Sequence, residues 1–143
     1  MNSAILAPAA VLVVWTLIMM IWVMITRFPA MKKAGVDMGA RPGGRGQDLQ
    51  GIIPDTVNWK AHNYNHLMEQ PTIFYAAVFI VALTGTGDAS INVWLAWAYV
   101  GLRVVHSIIQ ATWNHVPARF MVFVLSSLAL LALALHATAA ALQ

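Results

Sequence analysis

The stretch NYNHLMEQPTIFYAAVFIVALTG, residues 63–85, decides the fold class of this chain. Its first part contains two asparagines, a histidine and a glutamate, and the part from Pro71 to Gly85 contains no charged side chain. An apolar run of this kind belongs in a lipid bilayer, where a helix needs about 20 residues to cross the hydrocarbon core. The polar part must therefore enter or border the same membrane.

The composition as a whole also points to a membrane protein. Of the 143 residues, 60% are hydrophobic and 9% are charged, whereas soluble domains carry about 25% charged residues. This length fits one domain, and the absence of cysteine excludes disulfides, thiol nucleophiles and thiolate metal sites. We predict no metal site. The net charge of +3 could suggest a nucleic-acid partner, but the positions of the charges indicate membrane orientation instead.

Four long segments with few charges predict an all-α integral membrane protein, a four-helix bundle in one domain. We interpret the first segment as a span rather than a signal peptide, because no basic residue precedes it and no small-residue cleavage site follows. Asp88 is placed to cap the third helix, and Pro117 suits the first turn of the fourth. The predicted helices cover residues 4–27, 58–84, 89–113 and 116–141, and a polar link covers residues 28–57.

Basic residues concentrate on one side of these predicted helices. Six of the eight Lys and Arg residues lie in or next to the 28–57 link, and Arg119 lies beside the 114–118 turn. The 84–88 turn and both chain ends carry none. Because cytoplasmic loops carry an excess of Lys and Arg, we predict that the link and the 114–118 turn are cytoplasmic. Both termini then lie on the non-cytoplasmic side.

Polar side chains converge on the predicted cytoplasmic end of the bundle. Two sets follow helical spacing. They are His62, Asn65, His66 and Glu69 on the second predicted helix, and Arg103, His106, Gln110 and Asn114 on the third. A charge at the bilayer centre costs about 2.5–3.5 kcal/mol even on the most lenient scale. Both stripes are therefore expected to face protein or a water-filled cleft.

Glu69 and Arg103 are predicted to form an ion pair. At a rise of 1.5 Å per residue, both lie about 15–20 Å from the polar end of the bundle, and their charges are opposite. The simplest interpretation is a buried bridge that fixes helix packing, and Asn65 could likewise be an interhelical hydrogen-bonding group. The number of polar groups at one end exceeds what packing requires, which favours a binding site.

Two segments of the sequence carry a family resemblance. NYNHLMEQPTIFYA (63–76) and YVGLRVVHSIIQATWNHVPARF (99–120) resemble the membrane-associated proteins in eicosanoid and glutathione metabolism, the MAPEG family, and in particular its microsomal glutathione transferases. The resemblance implies four-helix subunits that assemble as a homotrimer. It also implies glutathione as co-substrate, bound between neighbouring subunits at the end of the bundle that carries the long first link.

The resemblance further implies roles for individual residues. Arg119 falls near the arginine that stabilises the glutathione thiolate, so its implied role is catalytic. Mammalian members carry tyrosines on the third helix where this chain has His106 and Gln110. The residues with an implied role in glutathione binding are Arg27, Asn65, Glu69, Arg103, His106 and Gln110.

These residue types suit the chemistry of glutathione. Guanidinium groups bind carboxylates in bidentate fashion, and Glu69 could bind the ammonium group. A free thiol has a pKa of about 8.5, and lowering it by about 2 units requires about 2.7 kcal/mol of anion stabilisation. Arg119 would supply this at the positive end of a helix dipole. We predict a glutathione transferase or peroxidase that acts on a lipophilic small molecule from the bilayer.

Two alternatives of other classes remain open. The first is a non-catalytic membrane protein on the same fold that binds a lipid or thiol ligand. The second is a small four-span exporter with Glu69 as its proton site. Such an exporter would expose Glu69 to both sides in turn, and the one-sided cluster of polar groups disfavours it.

Overall fold

A computed structural model describes residues 3–40 and 42–143 of the chain. Its four α-helices confirm the predicted all-α architecture. They are α1 (Leu6–Lys33), α2 (Asp55–Leu83), α3 (Ser90–Thr112) and α4 (Val116–Ala141). A 3₁₀-helix, Gly46–Leu49, lies in the link between α1 and α2.

Three of the four helices are long and apolar enough to cross a membrane, namely α1, α2 and α4. The sequence led us to predict four such spans, and α3 does not meet this criterion. The hydropathy of α3 is lowered by polar side chains that are buried against the neighbouring helices. These buried side chains are Asn92, Arg103, His106, Ser107 and Gln110.

The first helix is longer than predicted, because it continues past Arg27 to Lys33. Gly35, with φ of +68°, ends it in the left-handed conformation that glycine adopts without cost. The amide of Gly35 donates to the carbonyl of Lys32, and that of Val36 donates to Met31, which is the Schellman pattern at a helix end. Lys32 and Lys33 lie in the last turn of α1 and stabilise it, since cations interact favourably with the negative end of the helix dipole.

Both α2 and α3 pack against each of the other three helices. Phe74 of α2 and Tyr99 of α3 are fully buried and stack with ring centroids 4.4 Å apart. The hydroxyl of Tyr99 donates to Oε1 of Gln70 at 3.3 Å, and Nε2 of Gln70 donates to Ser127 of α4 at 2.8 Å. This core fixes the rotation of α2, and therefore decides which of its polar residues face inward.

Asp88 does not cap α3 as predicted. Its Oδ1 atom accepts a hydrogen bond of 2.6 Å from the amide of Ala4, just before α1 begins. A Cβ atom at Gly87 would collide with the side chain of Ser3, so the glycine permits this close approach. The residue before α3 is Ala89, which makes no side-chain cap. The Asp88 carboxylate therefore accepts a hydrogen bond from a backbone amide at the start of α1 rather than from one at the start of α3.

The predicted orientation can be tested with two matched substitutions, Ala40→Cys and Ala89→Cys. Both alanines are exposed, one in the α1–α2 link and the other in the α2–α3 turn, and the chain has no natural cysteine. The asymmetry of Lys and Arg leads us to expect that a membrane-impermeant thiol reagent labels Ala89→Cys from outside intact cells and Ala40→Cys only after lysis. Labelling of both positions from the same side would contradict the orientation.

Candidate functional site

A cavity of 670 Å³ lies between α1, α2 and the link, and we name it the α1–α2 cavity. Arg27 of α1 and Asn65 of α2, both predicted site residues, line it together. Arg45 and Gln47 of the link and His62 of α2 contribute further polar groups. Its volume lies in the range of about 300–1,000 Å³ that is typical of small-molecule sites.

The guanidinium of Arg27 anchors the link to this cavity. Its Nη2 atom donates a hydrogen bond of 2.5 Å to the carbonyl of Gly46. Its Nε atom is buried without a partner among the described residues. Arg27 therefore keeps donor capacity that the protein described here does not use.

A second cavity of 510 Å³, which we name the link cavity, lies on the other side of this contact. Arg27, Arg45 and Gly46 line both cavities. Most other residues of its wall are apolar, and they come from the end of α1 and from the link. They include Phe28, Met31, Val36, Met38, Leu49 and Ile52.

A separate cluster joins α2, α3 and α4 inside the bundle. The rings of His66, His106 and Phe123 lie near one another, with centroid distances of 5.5 Å between the histidines and 6.0 and 6.2 Å to Phe123. Arg103 is fully buried beside them, and its Nη2 atom donates to the carbonyl of His66 at 2.8 Å. This cluster contains the predicted residues Arg103 and His106.

The cluster carries unsatisfied polar atoms. Among the described residues, no hydrogen-bond partner is present for Nε and Nη1 of Arg103 or for Oε1 of Gln110. Asn63 donates to Ser107 at 2.5 Å, and its own oxygen is also without a partner there. Buried polar groups in proteins are nearly always hydrogen-bonded, so water, a ligand or a second subunit is expected to complete this cluster.

Glu69 is exposed, and the direct ion pair predicted between Glu69 and Arg103 is wrong for the residues that the structure describes. The Glu69 side chain is 68% exposed, and its Oε2 atom lies 3.9 Å from Nδ1 of His66. Matched depth along two helices does not fix rotation about their axes. His62 and Asn65 are exposed and line the α1–α2 cavity, which agrees with the predicted cleft. Glu69 is exposed and lines neither cavity.

We expect Glu69→Gln to change the free energy of unfolding of the single subunit by less than about 1 kcal/mol, because exposed ion pairs contribute about 0–1 kcal/mol. Chemical denaturation in a detergent that keeps the subunits apart would measure this difference. A loss of about 3–5 kcal/mol would contradict it, since that is the cost of breaking a buried pair. Glu69 would then be buried against a cation within its own subunit.

Arg119 lies in the second turn of α4, close to the polar end of the bundle. Its Nη1 atom donates a hydrogen bond of 2.5 Å to Oδ1 of Asn114. Asn114 has φ of +52°, a left-handed conformation that asparagine tolerates better than most residues. Asn114 follows the end of α3 closely, so this hydrogen bond places Arg119 beside the end of α3 that carries Gln110.

The model of the MAPEG family matches residues 5–139, nearly the whole chain. The chain belongs to the MAPEG family. Comparison with curated proteins and with solved structures gave no significant match. Family membership and the three apolar helices identify it as an integral membrane protein. The match confirms the predicted resemblance to the MAPEG family, while the resemblance to its microsomal glutathione transferases stays a prediction.

In this MAPEG chain the predicted site residues fall into two groups. Arg27 and Asn65 line the α1–α2 cavity. Arg103, His106 and Gln110 are buried on α3, and Arg119 lies near them at the start of α4. Among the described residues, neither cavity lining includes Glu69, Arg103, His106, Gln110 or Arg119. The roles of all seven predicted residues toward a ligand remain predictions.

Sequence reasoning missed the contribution of the link to the cavity. Arg45, Gln47 and Tyr64 all line the α1–α2 cavity. From the sequence, Arg45 predicts only the orientation in the membrane, and Gln47 and Tyr64 are assigned no role. A signal was present, because Leu49 and Ile53 are apolar residues in a polar segment and both are buried. Their burial brings the link back onto the bundle.

Within residues 3–40 and 42–143, no three His, Asp or Glu side chains are grouped closely enough to hold a metal ion. The histidines instead contact aromatic rings, amides and other histidines. His136 on α4, for example, shares a hydrogen bond of 2.7 Å with Asn92 of α3.

Proposed function

We propose that this MAPEG protein is a membrane-bound glutathione-dependent transferase or peroxidase. The observation that carries the proposal is the α1–α2 cavity, where Arg27 and Arg45 meet the amide of Asn65. Glutathione has two carboxylates, and two guanidinium groups can each bind one in bidentate fashion. The amide of Asn65 can pair with a peptide group of the ligand.

The proposed reaction needs a thiolate and no nucleophile from the protein, which agrees with a chain that contains no cysteine. In conjugation, the thiolate sulfur forms a bond with an electrophilic carbon, and the leaving group departs with the electron pair. In peroxide reduction, two glutathione molecules give a disulfide while the hydroperoxide becomes an alcohol and water. In conjugation the thiol proton passes to solvent, whereas in peroxide reduction the two thiol protons end in the alcohol and the water.

Arg119 is the proposed source of thiolate stabilisation. It lies near the amino terminus of α4, where the helix dipole adds positive potential to the guanidinium charge. Preorganised donors aimed at a developing anion are among the largest contributions to catalysis. Because Arg119 does not line the α1–α2 cavity of the described subunit, we propose that a second copy completes the site.

The exposed face of α2 supports assembly of several copies. Its polar residues Asn65 and Glu69 continue into the exposed apolar residues Ile73 and Phe79 on the same side of a membrane-spanning helix. Carboxylates are costly against lipid, so a second copy is the proposed cover, and the family resemblance supplies a homotrimer. Native mass spectrometry in detergent should show a trimer. A stable monomer that binds glutathione would count against a shared site.

The test of the proposed function is a conjugation assay with a reactive aryl halide and glutathione. The purified protein should raise the rate well above the uncatalysed reaction, with saturation in glutathione. Lys32→Ala is a suitable control, because Lys32 is exposed and is not among the residues that line either cavity. Failure to bind glutathione or to accelerate the reaction would reject the proposal.

One observation favours the non-catalytic alternative. The guanidinium of Arg119 already donates to Asn114 at 2.5 Å, so part of its donor capacity is used by the protein. Under this alternative, glutathione would bind at the α1–α2 cavity with its thiol still protonated. Binding measured by calorimetry without any ultraviolet thiolate signal would establish the alternative.

A further inference from the structure

The α1–α2 cavity and the link cavity share one wall, in which Arg27 contacts the backbone of the link. Arg27, Arg45 and Gly46 are common to both linings. The hydrogen bond from Nη2 of Arg27 to the carbonyl of Gly46 joins α1 to the link across this wall. The orientation of the Arg27 guanidinium therefore depends on the backbone at residue 46.

The geometry at residue 46 leaves no room for a side chain. A Cβ atom there would lie 2.9 Å from Nη1, 3.0 Å from Nη2 and 3.3 Å from Cζ of Arg27. All three atoms belong to the guanidinium, so the group lies directly against the Gly46 backbone. They are also the far end of a flexible side chain, so an added methyl group would displace Arg27 more readily than the backbone.

We propose that Gly46 is a positioning residue for Arg27, and this inference rests on the proposed binding of glutathione carboxylates by Arg27. The carbonyl of Gly46 holds Nη2, while Nε is buried without a partner among the described residues. Nη1 makes no hydrogen bond among the described residues, so the guanidinium is held in place while this donor remains for a ligand. A pre-oriented cation binds its ligand more tightly because less side-chain freedom is lost on binding.

The link offers a matched control for this proposal. A Cβ atom at Gly44 would meet nothing within 4 Å, and its φ is not positive. Gly44→Ala and Gly46→Ala therefore make the same chemical change two positions apart in the same segment. Gly43 is unsuitable, because its φ of +76° would strain any substituted residue.

Isothermal calorimetry with glutathione and the full-length protein tests the role of Gly46. Gly46→Ala should weaken glutathione binding by about 2- to 12-fold, the range expected for one net hydrogen bond. Gly44→Ala should bind like the wild type. At saturating glutathione, turnover of Gly46→Ala should stay near that of the wild type, since the change affects binding and not the thiolate. Wild-type affinity in Gly46→Ala would overturn the proposal.

A double-mutant cycle separates positioning from a general structural role. In an Arg27→Ala background, Gly46→Ala should cause no further loss of affinity, because the side chain it positions is absent. Additive losses would overturn the proposal, since Gly46 would then act independently of Arg27.

Hydrogen exchange provides a readout that needs no ligand. Gly46→Ala and Arg27→Ala should each speed amide exchange in residues 45–50 to the same extent, the double variant no further, and Gly44→Ala not at all. Unchanged exchange in Gly46→Ala would overturn the proposal. If the wild type fails to bind glutathione while these exchange results hold, the proposed function is rejected and the positioning of Arg27 by Gly46 stands.

Discussion

Arg119→Ala should lower the turnover of glutathione conjugation by about 10²–10³-fold, the effect of removing one preorganised donor to a developing anion. The affinity for glutathione should change by less than about threefold, because the interaction with the anion is made chiefly after the thiol has lost its proton. Steady-state kinetics with an aryl halide, together with calorimetric binding, would separate the two effects. Arg119→Lys should recover part of the lost turnover, since lysine restores the charge without the planar fork.

The hydrogen bond between Arg119 and Asn114 supplies a second pair of variants. Asn114→Gly removes the acceptor while retaining a residue that tolerates the observed φ of +52°. It should leave turnover intact or raise it. Asn114→Asp places a carboxylate beside the guanidinium, and it should raise the pKa of the bound thiol and lower turnover. Normal turnover in Arg119→Ala would assign the thiolate to another cation, with Arg103 the first to examine.

Arg27→Ala should weaken glutathione binding by about 10- to 150-fold, the range for a hydrogen bond to a charged group. Arg27 lines the α1–α2 cavity and retains a buried Nε without a described partner. Turnover at saturating glutathione should remain close to that of the wild type, because Arg27 acts on the carboxylate end of the ligand. Calorimetric titration would give the affinity.

The control for this prediction comes from the same helix. Lys32→Ala removes an exposed cation from the last turn of α1 that is not part of either lining. Lys32→Ala therefore shows how much affinity is lost when any one positive charge is removed from this end of α1. Arg27→Lys should lie between the wild type and Arg27→Ala, since it keeps the charge but loses the bidentate geometry. Equal affinity in Arg27→Ala and Lys32→Ala would remove Arg27 from the site.

The helical architecture could be predicted because its signals are local. Apolar length predicted each helix, and Pro117 lies in the first turn of α4 as expected. The helix ends were less predictable where the backbone conformation of one residue determines them. Arg27 suggested a membrane boundary, but the chain continues as helix until Gly35 adopts a positive φ. A change in polarity and the end of a helix are different physical events.

The arrangement of the site depended on information that helical spacing does not contain. Depth along α2 and α3 suggested that Glu69 pairs with Arg103, but packing of Phe74 on Tyr99 sets a rotation that exposes Glu69. The fold of the link brings Arg45 into the cavity that Arg27 also lines. This fold depends on the burial of Leu49 and Ile53 against the bundle. Residue type and depth were therefore predictable, whereas the pairing of side chains was not.

The most direct test of the account is the pH titration of the thiol of glutathione bound to the wild-type protein. Thiolate absorbs in the ultraviolet, so the difference spectrum between bound and free glutathione reports ionisation at each pH. A free thiol has a pKa of about 8.5. If the protein binds and activates glutathione, the bound thiol should be half-ionised at least about one pH unit lower, which corresponds to about 1.4 kcal/mol of preferential stabilisation of the anion. Absence of binding, or a bound thiol that titrates near its ordinary pKa, would contradict the proposed function.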